Sequence, residues 1–183
     1  MKIGRLLLRL VVGVLFVGHG TQKLFGWFGG YGLDATGEAF EKMGMRPGKR
    51  NALAAGAAEA GGGALLALGL ETPLAASVLT ATMITAIQRV HASKGPWVTN
   101  GGYEYNLVLI AAVLALAEVG PGALSLDGAL GNERHGPRWA VFALITGALG
   151  SLGAHLAAAA QPVPLDQGAE TAQEAPAAAE AGS

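Results

Sequence analysis

The chain has 183 residues, a formal net charge of −1 and no cysteine. Hydrophobic residues make up 51% of it and charged residues only 14%, whereas soluble domains carry about 25% charged residues. This composition favours a membrane protein, while the missing thiols exclude disulfide and thiolate chemistry, and basic residues without a stripe argue against a nucleic-acid partner.

Five apolar segments predict an all-α, polytopic membrane helix bundle. A helix crosses about 30 Å of hydrocarbon with about 20 residues. The candidate spans are Arg5 to Phe28, Asn51 to Leu70, Pro73 to Arg89, Tyr103 to Gly120 and Arg138 to Ala160. The fourth is short and would need tilt or local thinning of the bilayer. We expect a four-helix core with an added C-terminal transmembrane helix; the alternative is an alanine-rich soluble bundle.

The first segment begins like a signal peptide, because Lys2, Arg5 and Arg9 precede an apolar run. The run continues to Phe28 without a small-x-small cleavage site, so we interpret it as an uncleaved first helix. Arg9 is expected to extend its side chain back to the nearer membrane surface.

The remaining segments complete the predicted organisation. A polar connector from Leu33 to Arg50 is expected to include a short amphipathic helix. We assign residues 1–131 to the four-helix membrane domain, 132–160 to a linker and the additional helix, and 161–183 to an acidic tail rich in Ala, Glu and Pro. That tail cannot bury an apolar face and is expected to be disordered.

Helix direction predicts the depth of polar groups in the bilayer. We call the membrane side that holds the N-terminus side A and the opposite side side B. Glu59 lies in a segment of Ala, Gly and Leu, where an ionised carboxylate costs about 2.5 to 3.5 kcal/mol in hydrocarbon. His19 and Glu59 are each about 12 to 13 Å from side B, and Lys23 is one turn nearer to it. Gln22 and Lys23 share a helix face with His19.

Two further segments place polar groups at side B. His91 ends the third span, and Tyr103, Glu104 and Asn106 begin the fourth. We therefore predict a polar intramembrane pocket that opens toward side B. The alternatives are structural: an ion pair or hydrogen bond that sets helix register, a histidine near headgroups, and residues that cap the fourth helix.

Three sequence blocks resemble the DoxX family of small bacterial membrane proteins. They are RLLLRLVVGVLFVGHGTQKLFGWFGG from Arg5, AAGAAEAGGGALLALGL from Ala54, and GGYEYNLVLIAAVLAL with GPGALSLD from Gly101 to Asp127. The resemblance runs from about Met1 to Gly131. It makes His19, Lys23, Glu59, Glu104 and Asn106 members of the family's motifs.

The resemblance implies a four-helix core in the bacterial inner (plasma) membrane, with redox and oxidative-stress roles among its members. The family also looks related to a membrane subunit of thiosulfate:quinone oxidoreductase. Thiosulfate oxidation does not transfer, because this chain has no cysteine. Positive charges are divided between the two sides, so only the basic start of the first helix favours a cytoplasmic N-terminus.

We interpret the chain as a redox-associated accessory protein, at most a subunit of a membrane quinone-linked oxidoreductase with a soluble or membrane redox partner. The pocket would bind quinone and relay protons, since imidazole titrates near neutrality and desolvation favours a protonated carboxyl group. Candidate relay residues are His19, Glu59, His91 and Glu104. Candidate quinone-binding residues are His19, Gln22, Lys23, Glu59, Tyr103 and Asn106.

Three other functions remain open from the sequence. A non-enzymatic scaffold could anchor a soluble partner through the connector or the tail. A small-solute or ion transporter fits intramembrane charge but lacks evident inverted repeats. A metal site built from His19, Glu59, His91 and Glu104 has acceptable ligand types but no supporting local motif, so no metal is expected.

Overall fold

The computed structural model describes residues 3–161, which form helices joined by turns and short loops. The α-helices are α1 (Ile3–Phe25), α2 (Gly32–Lys42), α3 (Gly48–Leu68), α4 (Thr72–Ala86), α5 (Glu104–Val119), α6 (Leu126–Ala129) and α7 (Pro137–Ala159). The expected all-α bundle is confirmed. The predicted disordered tail lies, apart from its first residue, outside the described residues.

Three helices are long and apolar enough to cross a membrane: Ile3–Phe25, Thr72–Lys94 and Pro137–Ala159, each of 23 residues. The second is α4 continued through a π-helical turn, Ile87–His91, and a 3-10 turn, Ala92–Lys94. The other two expected spans are α3, with 21 residues, and α5, with 16. Neither α3 nor α5 is both long enough and apolar enough to be identified as a membrane span by itself. We expect both helices to cross the membrane because they pack beside the three long helices.

The outward surface of the bundle is apolar, as a bilayer requires. Exposed side chains along α1 and α7 include Leu7, Val11, Val14, Ile145, Leu149 and Leu156. Large aromatic residues are exposed at side B, where Trp27, Phe28, Tyr31 and Trp97 lie in the loops after α1 and α4. Contiguous exposed apolar surface of this kind marks a lipid or protein contact, and aromatic residues favour the membrane interface.

Helices α1 and α3 pack with their backbones almost in contact. A Cβ atom added to Gly20 would lie 2.4 Å from the backbone nitrogen of Ala60, and one added to Gly13 would lie 2.7 Å from the carbonyl oxygen of Gly63. Small residues permit this approach, which membrane helices use in place of a hydrophobic driving force. The contact fixes the register of α1 against α3 and therefore which side chains meet at side B.

Helix α4 is the central element of the bundle, because it packs against α3, α5 and α7. Its Leu79 is fully buried, as are Phe16 of α1, Leu66 of α3, and Val113 and Leu116 of α5. This core occupies the middle of the bundle. The polar residues of the chain are thereby separated into groups toward its two ends.

The end at side A is more polar than expected, and Arg9 does not extend to the membrane surface. Its side chain is only 3% exposed and donates from Nη1 to the carbonyl oxygen of Pro121 at 2.6 Å and from Nη2 to that of Leu124 at 2.5 Å. Arg5 likewise donates to the carbonyl oxygen of Val119 at 2.9 Å. Carbonyl groups at the end of α5 and in the segment after it accept these hydrogen bonds, so the arginines do not extend to the lipid headgroups.

A buried carboxylate completes this end of the fold. Asp127 is 1% exposed and accepts hydrogen bonds from the backbone N–H groups of Glu71, at 3.1 Å, and Thr72, at 3.4 Å. These donors open α4, where helical N–H groups lack internal partners and a negative charge is favourable. Glu71 in turn forms an ion pair with Arg134. Side A is therefore tied together across α1, α4, α5 and the linker to α7.

The close contact of α1 and α3 predicts different effects for alanine at two neighbouring glycines. Gly20→Ala should lower the melting temperature in detergent, since overpacking costs about 1 to 3 kcal/mol and its new methyl group would meet backbone that cannot move aside. Gly18→Ala is the matched control, because within residues 3–161 no atom outside the adjoining backbone of α1 lies within 4 Å of its added Cβ. Equal melting temperatures for the two variants would contradict the packing described above.

Candidate functional site: an intramembrane polar cavity

A cavity of about 540 Å³ lies between the helices in the half of the bundle toward side B. It is lined by the side-B ends of α1, α3, α4 and α5, by the loop after α4, and by two small residues of α7. Its polar lining comprises His19, Lys23, Asn51, Glu59, Thr82, Thr85, Arg89, His91, Tyr105 and Asn106. The apolar lining includes Phe16, Phe40, Met43, Met45, Val78, Met83, Val90 and Leu109. Its size is within the range of small-molecule sites.

An ion pair between Lys23 and Glu59 forms one wall of the cavity. Lys23 Nζ donates to Glu59 Oε2 at 2.5 Å, and the side chains are 26% and 7% exposed, respectively. The lysine neutralises the carboxylate that the α3 sequence places in hydrocarbon, so Glu59 is paired and also faces the cavity. Glu59 therefore fits both interpretations made from the sequence: it forms a structural ion pair, and it also lines the polar pocket.

His19 lies at the rim of the cavity rather than against Glu59. Gly20, the next residue, packs against Ala60 and Gly56, so the depth expected for His19 is consistent with α3. The ring is exposed, and its Nδ1 lies 3.1 Å from Oε1 of Gln22. Because an amide oxygen only accepts, Nδ1 carries the hydrogen and Nε2 keeps a free lone pair.

Three predicted quinone-binding or relay residues do not line the cavity. Gln22 spans between His19 and the carbonyl oxygen of Phe28, to which its Nε2 donates at 3.2 Å. Tyr103 immediately precedes α5. Glu104 accepts a hydrogen bond from the backbone N–H of Val98 at 3.0 Å and so orders the loop that precedes α5. Local backbone donors satisfy this carboxylate, as expected for a group at a helix start.

The end of α4 contributes two basic side chains to the cavity. Arg89 and His91 lie two residues apart in the π-helical turn Ile87–His91, and single π turns are frequent at functional sites. Nδ1 of His91 lies 2.6 Å from the carbonyl oxygen of Gly101 and must therefore donate. This bond ties the end of α4 to the loop before α5 and leaves Nε2 of His91 available.

Helix α5 closes the opposite wall with Asn106 and Tyr105. Asn106 is 6% exposed, and its Nδ2 lies 3.3 Å from the sulfur of Met83, a weak acceptor. Tyr105 is 44% exposed and lies at the edge of the cavity. A buried amide with so weak a partner has hydrogen-bonding capacity left for a ligand.

We infer that the cavity opens to the outer surface of the bundle between α3 and α7. These helices pack on different faces of α4 and make little contact with each other. Ala54 on one side and Gly150 on the other are exposed and line the cavity, with Ala81 between them on α4. Gly150 lies about 13 Å from the end of α7, well inside a bilayer about 30 Å thick. This opening therefore faces lipid chains.

The hypothetical metal site does not assemble. Within residues 3–161, no group of three or more His, Asp or Glu side chains could hold a metal ion. Of the four residues considered, Glu59 is paired with Lys23 and Glu104 is bonded to the backbone of the preceding loop. The cavity instead presents hydrogen-bond donors, acceptors and an apolar wall.

Comparison with known proteins now assigns the family. A family model described as DoxX matches residues 4–92. A protein named Putative oxidoreductase CatD, from Bacillus subtilis (strain 168), is 33% identical over 126 residues, which cover 69% of this chain and 86% of that protein. The chain belongs to the DoxX family. No solved structure matches the chain significantly.

The DoxX match contains most of the polar cavity. Residues 4–92 include Lys23, Glu59, Arg89 and His91, whereas α5 and α7 lie beyond the matched range. We expected the resemblance to extend to about residue 131, whereas the family model matches this chain only as far as residue 92. Membership and the three long apolar helices place this protein in a membrane.

Arg89 lines the cavity but was not among the candidate site residues; in the sequence it was only the last residue of the third predicted span. Its signal was present: arginine and histidine two residues apart end an apolar helix just before the glycine- and proline-containing loop. In a regular α-helix, residues two positions apart lie about 200° apart and face different sides. The wider π-helical turn instead leaves both on the cavity lining.

The Lys23–Glu59 pair predicts a strongly non-additive mutant cycle. Lys23→Met should lower the free energy of unfolding by about 1 to 3 kcal/mol, less than for a fully buried pair, because it leaves Glu59 without its cation. Adding Glu59→Gln should restore part of the loss, since the double variant has no unpaired charge. Denaturation of the four proteins in one detergent measures the coupling. Strictly additive effects would show that the two side chains do not interact.

Proposed function

We propose that this DoxX protein is a redox-associated membrane accessory that binds quinone in the cavity and relays protons, while a partner supplies the electrons. The observation that carries the proposal is the Lys23–Glu59 pair, with a buried carboxylate and a half-buried lysine, on the wall of the cavity. Quinones are amphiphiles that diffuse in the bilayer. Their reduction needs hydrogen-bond donors for the carbonyl oxygens and a source of protons.

The cavity contains the groups that such a ligand requires. Lys23 donates hydrogen bonds and can shift from Glu59 to a carbonyl oxygen, whereas the carboxylate of Glu59 can accept a bond from a quinol hydroxyl group. His19, at the rim, can exchange protons with the surface at side B. Two electrons from the partner and two protons from this route convert a quinone into a quinol.

The similarity to the Bacillus subtilis protein and the basic start of α1 also support a redox role at the inner membrane. The name of the Bacillus subtilis relative describes it as an oxidoreductase, and we extend that redox role to this chain as part of the proposal. We place the protein in the bacterial inner membrane with its N-terminus in the cytoplasm, as the basic start of α1 favours. We further propose oxidative-stress defence as the setting of this activity, because the sequence resemblance implies such roles for some members of the family.

The scaffold alternative receives less support from the connector. Helix α2 packs against α3, and Phe40 from its last turn lines the cavity. Glu41 accepts a hydrogen bond from the backbone N–H of Gly48 at 2.5 Å, which holds the connector to the start of α3. The connector therefore acts as part of the cavity wall rather than as a free docking segment.

The proposal predicts that Glu59→Gln weakens quinol binding more than quinone binding. A quinol hydroxyl donates to the carboxylate, and hydrogen bonds to charged groups contribute about 1.5 to 3 kcal/mol, so we expect at least a tenfold loss for quinol. Titration of purified protein in detergent with a short-chain quinone and its quinol measures both affinities.

The matched control for this experiment is Glu38→Gln. Glu38 is an exposed carboxylate of α2 that does not line the cavity, so its substitution should leave both affinities unchanged. Wild-type protein that binds neither form, and that retains no quinone after purification from membranes, would overturn the proposal. Equal losses for quinone and quinol would remove Glu59 from direct contact with the ligand.

The opening between α3 and α7 predicts a separate effect on the ligand tail. A leucine at position 150 would project toward Ala81, whose Cβ lies 3.3 Å from an added Cβ, and would fill the opening. Displacing two methylene groups from an apolar contact costs about 1.6 kcal/mol at 0.8 kcal/mol each. Gly150→Leu should therefore weaken binding of a decyl-chain quinone about tenfold and leave a tail-free quinone within about twofold.

Gly153→Leu is the control on the same helix, because no atom lies within 4 Å of its added Cβ. Both affinities should stay at the wild-type level in that variant. If Gly150→Leu also leaves both unchanged, the tail must leave the cavity elsewhere, and the gap between His19 of α1 and Tyr105 of α5 becomes the entry route.

A further inference from the structure

The charges that line the cavity do not balance within the described residues. Lys23 and Glu59 neutralise each other at 2.5 Å. Arg89 is the remaining lining arginine or lysine, and among residues 3–161 no carboxylate lies within ion-pair distance of it. The cavity therefore carries one positive charge that the bundle itself does not compensate.

The contacts of Arg89 leave most of its hydrogen-bonding capacity unused. Its Nη1 donates to the carbonyl oxygen of Met43 at 3.3 Å, a long bond to a neutral acceptor. Its Nε is buried and has no hydrogen-bond partner among residues 3–161. A guanidinium group has five N–H donors in a planar fork that matches the two oxygens of an anion, so this orientation suits a ligand more than the protein.

His91 extends the same polar surface. Its Nδ1 is fixed by the carbonyl oxygen of Gly101, which orients the ring and leaves Nε2 to accept a hydrogen bond, or to donate one when the ring is protonated. Asn106 faces the cavity from α5 with only the sulfur of Met83 as partner. Arg89 and Asn106 thus present unfilled donor capacity to one space, and His91 adds a donor there when its ring is protonated.

We infer that Arg89 and Asn106 form an anion-binding subsite, which His91 joins as a donor when its ring is protonated, and that the cavity selects ring ligands that carry a negatively charged oxygen, such as an ionised hydroxyl group. The inference deepens the proposed function, because it states which head the quinone site prefers. Arg89 is half-buried and has no counter-charge among residues 3–161; a ligand anion compensates its charge, whereas a neutral ring does not. Charge-assisted hydrogen bonds to the planar guanidinium group also favour one orientation of the bound anion.

The same subsite has a consequence for a ligand that enters neutral. A positive charge beside the ring favours the form with more negative charge on oxygen, which for a quinone is the form that has gained an electron ahead of its proton. Glu59, already neutralised by Lys23, does not oppose this effect. Arg89 therefore acts on the head of the ligand, while the proposed proton route begins at Glu59.

The test compares two ring-matched probes, 1,4-naphthoquinone and 2-hydroxy-1,4-naphthoquinone, the second of which is an anion at neutral pH. Wild-type protein in detergent should bind the anionic probe about tenfold to a hundredfold more tightly than the neutral one, as charge-assisted hydrogen bonds predict. Arg89→Gln should abolish this preference and leave the affinity for the neutral probe within about threefold. Arg89→Lys should retain part of it, because the charge remains but the planar fork is lost.

Arg50→Gln is the matched control, since Arg50 is an exposed arginine near the start of α3 that does not line the cavity. It should leave the preference unchanged. A preference that survives Arg89→Gln, or that falls equally with Arg50→Gln, would overturn the subsite, the latter because it would indicate a general surface charge effect.

Two other outcomes are also decisive. If wild-type protein binds neither probe, the proposed quinone site fails together with the subsite. If it binds both equally, and deletion of residues 162–183 creates a preference for the anion, the acidic tail rather than a ligand occupies Arg89, and the inference is wrong for the intact chain. Thermal melting of each variant in the same buffer shows whether a lost preference reflects a lost fold.

Discussion

The ion pair between Lys23 and Glu59 is the constraint on which the rest of the site depends. A bare carboxylate would make α3 a poor membrane helix, and Lys23 can reach it only because Gly20 lets α1 and α3 approach to backbone contact. The glycine contact and the ion pair thus specify one register together. A shift of α1 by one residue along α3 would separate the charges and place a Cβ where only hydrogen fits.

The bundle keeps its stabilising polar contacts and its cavity at opposite ends. At side A, Arg9 and Asp127 are buried and bonded to backbone groups of other elements, which joins α1, α4 and the segment after α5. At side B, the Lys23–Glu59 pair and the bond of His91 to Gly101 are formed, but Arg89 and Asn106 keep hydrogen-bonding capacity toward the open cavity. A molecule tied at one end can keep the other end hydrated or occupied by a ligand without losing its fold.

Sequence reasoning predicted the elements and depths that depend on regular helices. Counting 1.5 Å per residue placed Lys23 and Glu59 in the same half of the bilayer, and the structure brings their charged atoms together. Sequence reasoning could not predict the partner of an individual side chain. Glu104 accepts a bond from a neighbouring loop, and Arg9 donates to carbonyl groups about 115 residues away in sequence. Arg89 was missed because its place depends on a π-helical turn, which no period of 3.6 residues reveals.

The division of the cavity among the helices bears on how DoxX proteins can vary. All of its lining lysine, arginine and carboxylate side chains lie within residues 4–92, the range of the family match. Helix α7, outside that range, contributes only Gly150 and Ala154, and these lie where the cavity meets lipid. An added helix at this position changes the width of the route for a hydrocarbon tail without touching the charges that meet the head. Ligand chemistry and ligand length are therefore set by different parts of the chain, and the second can change while the first is kept.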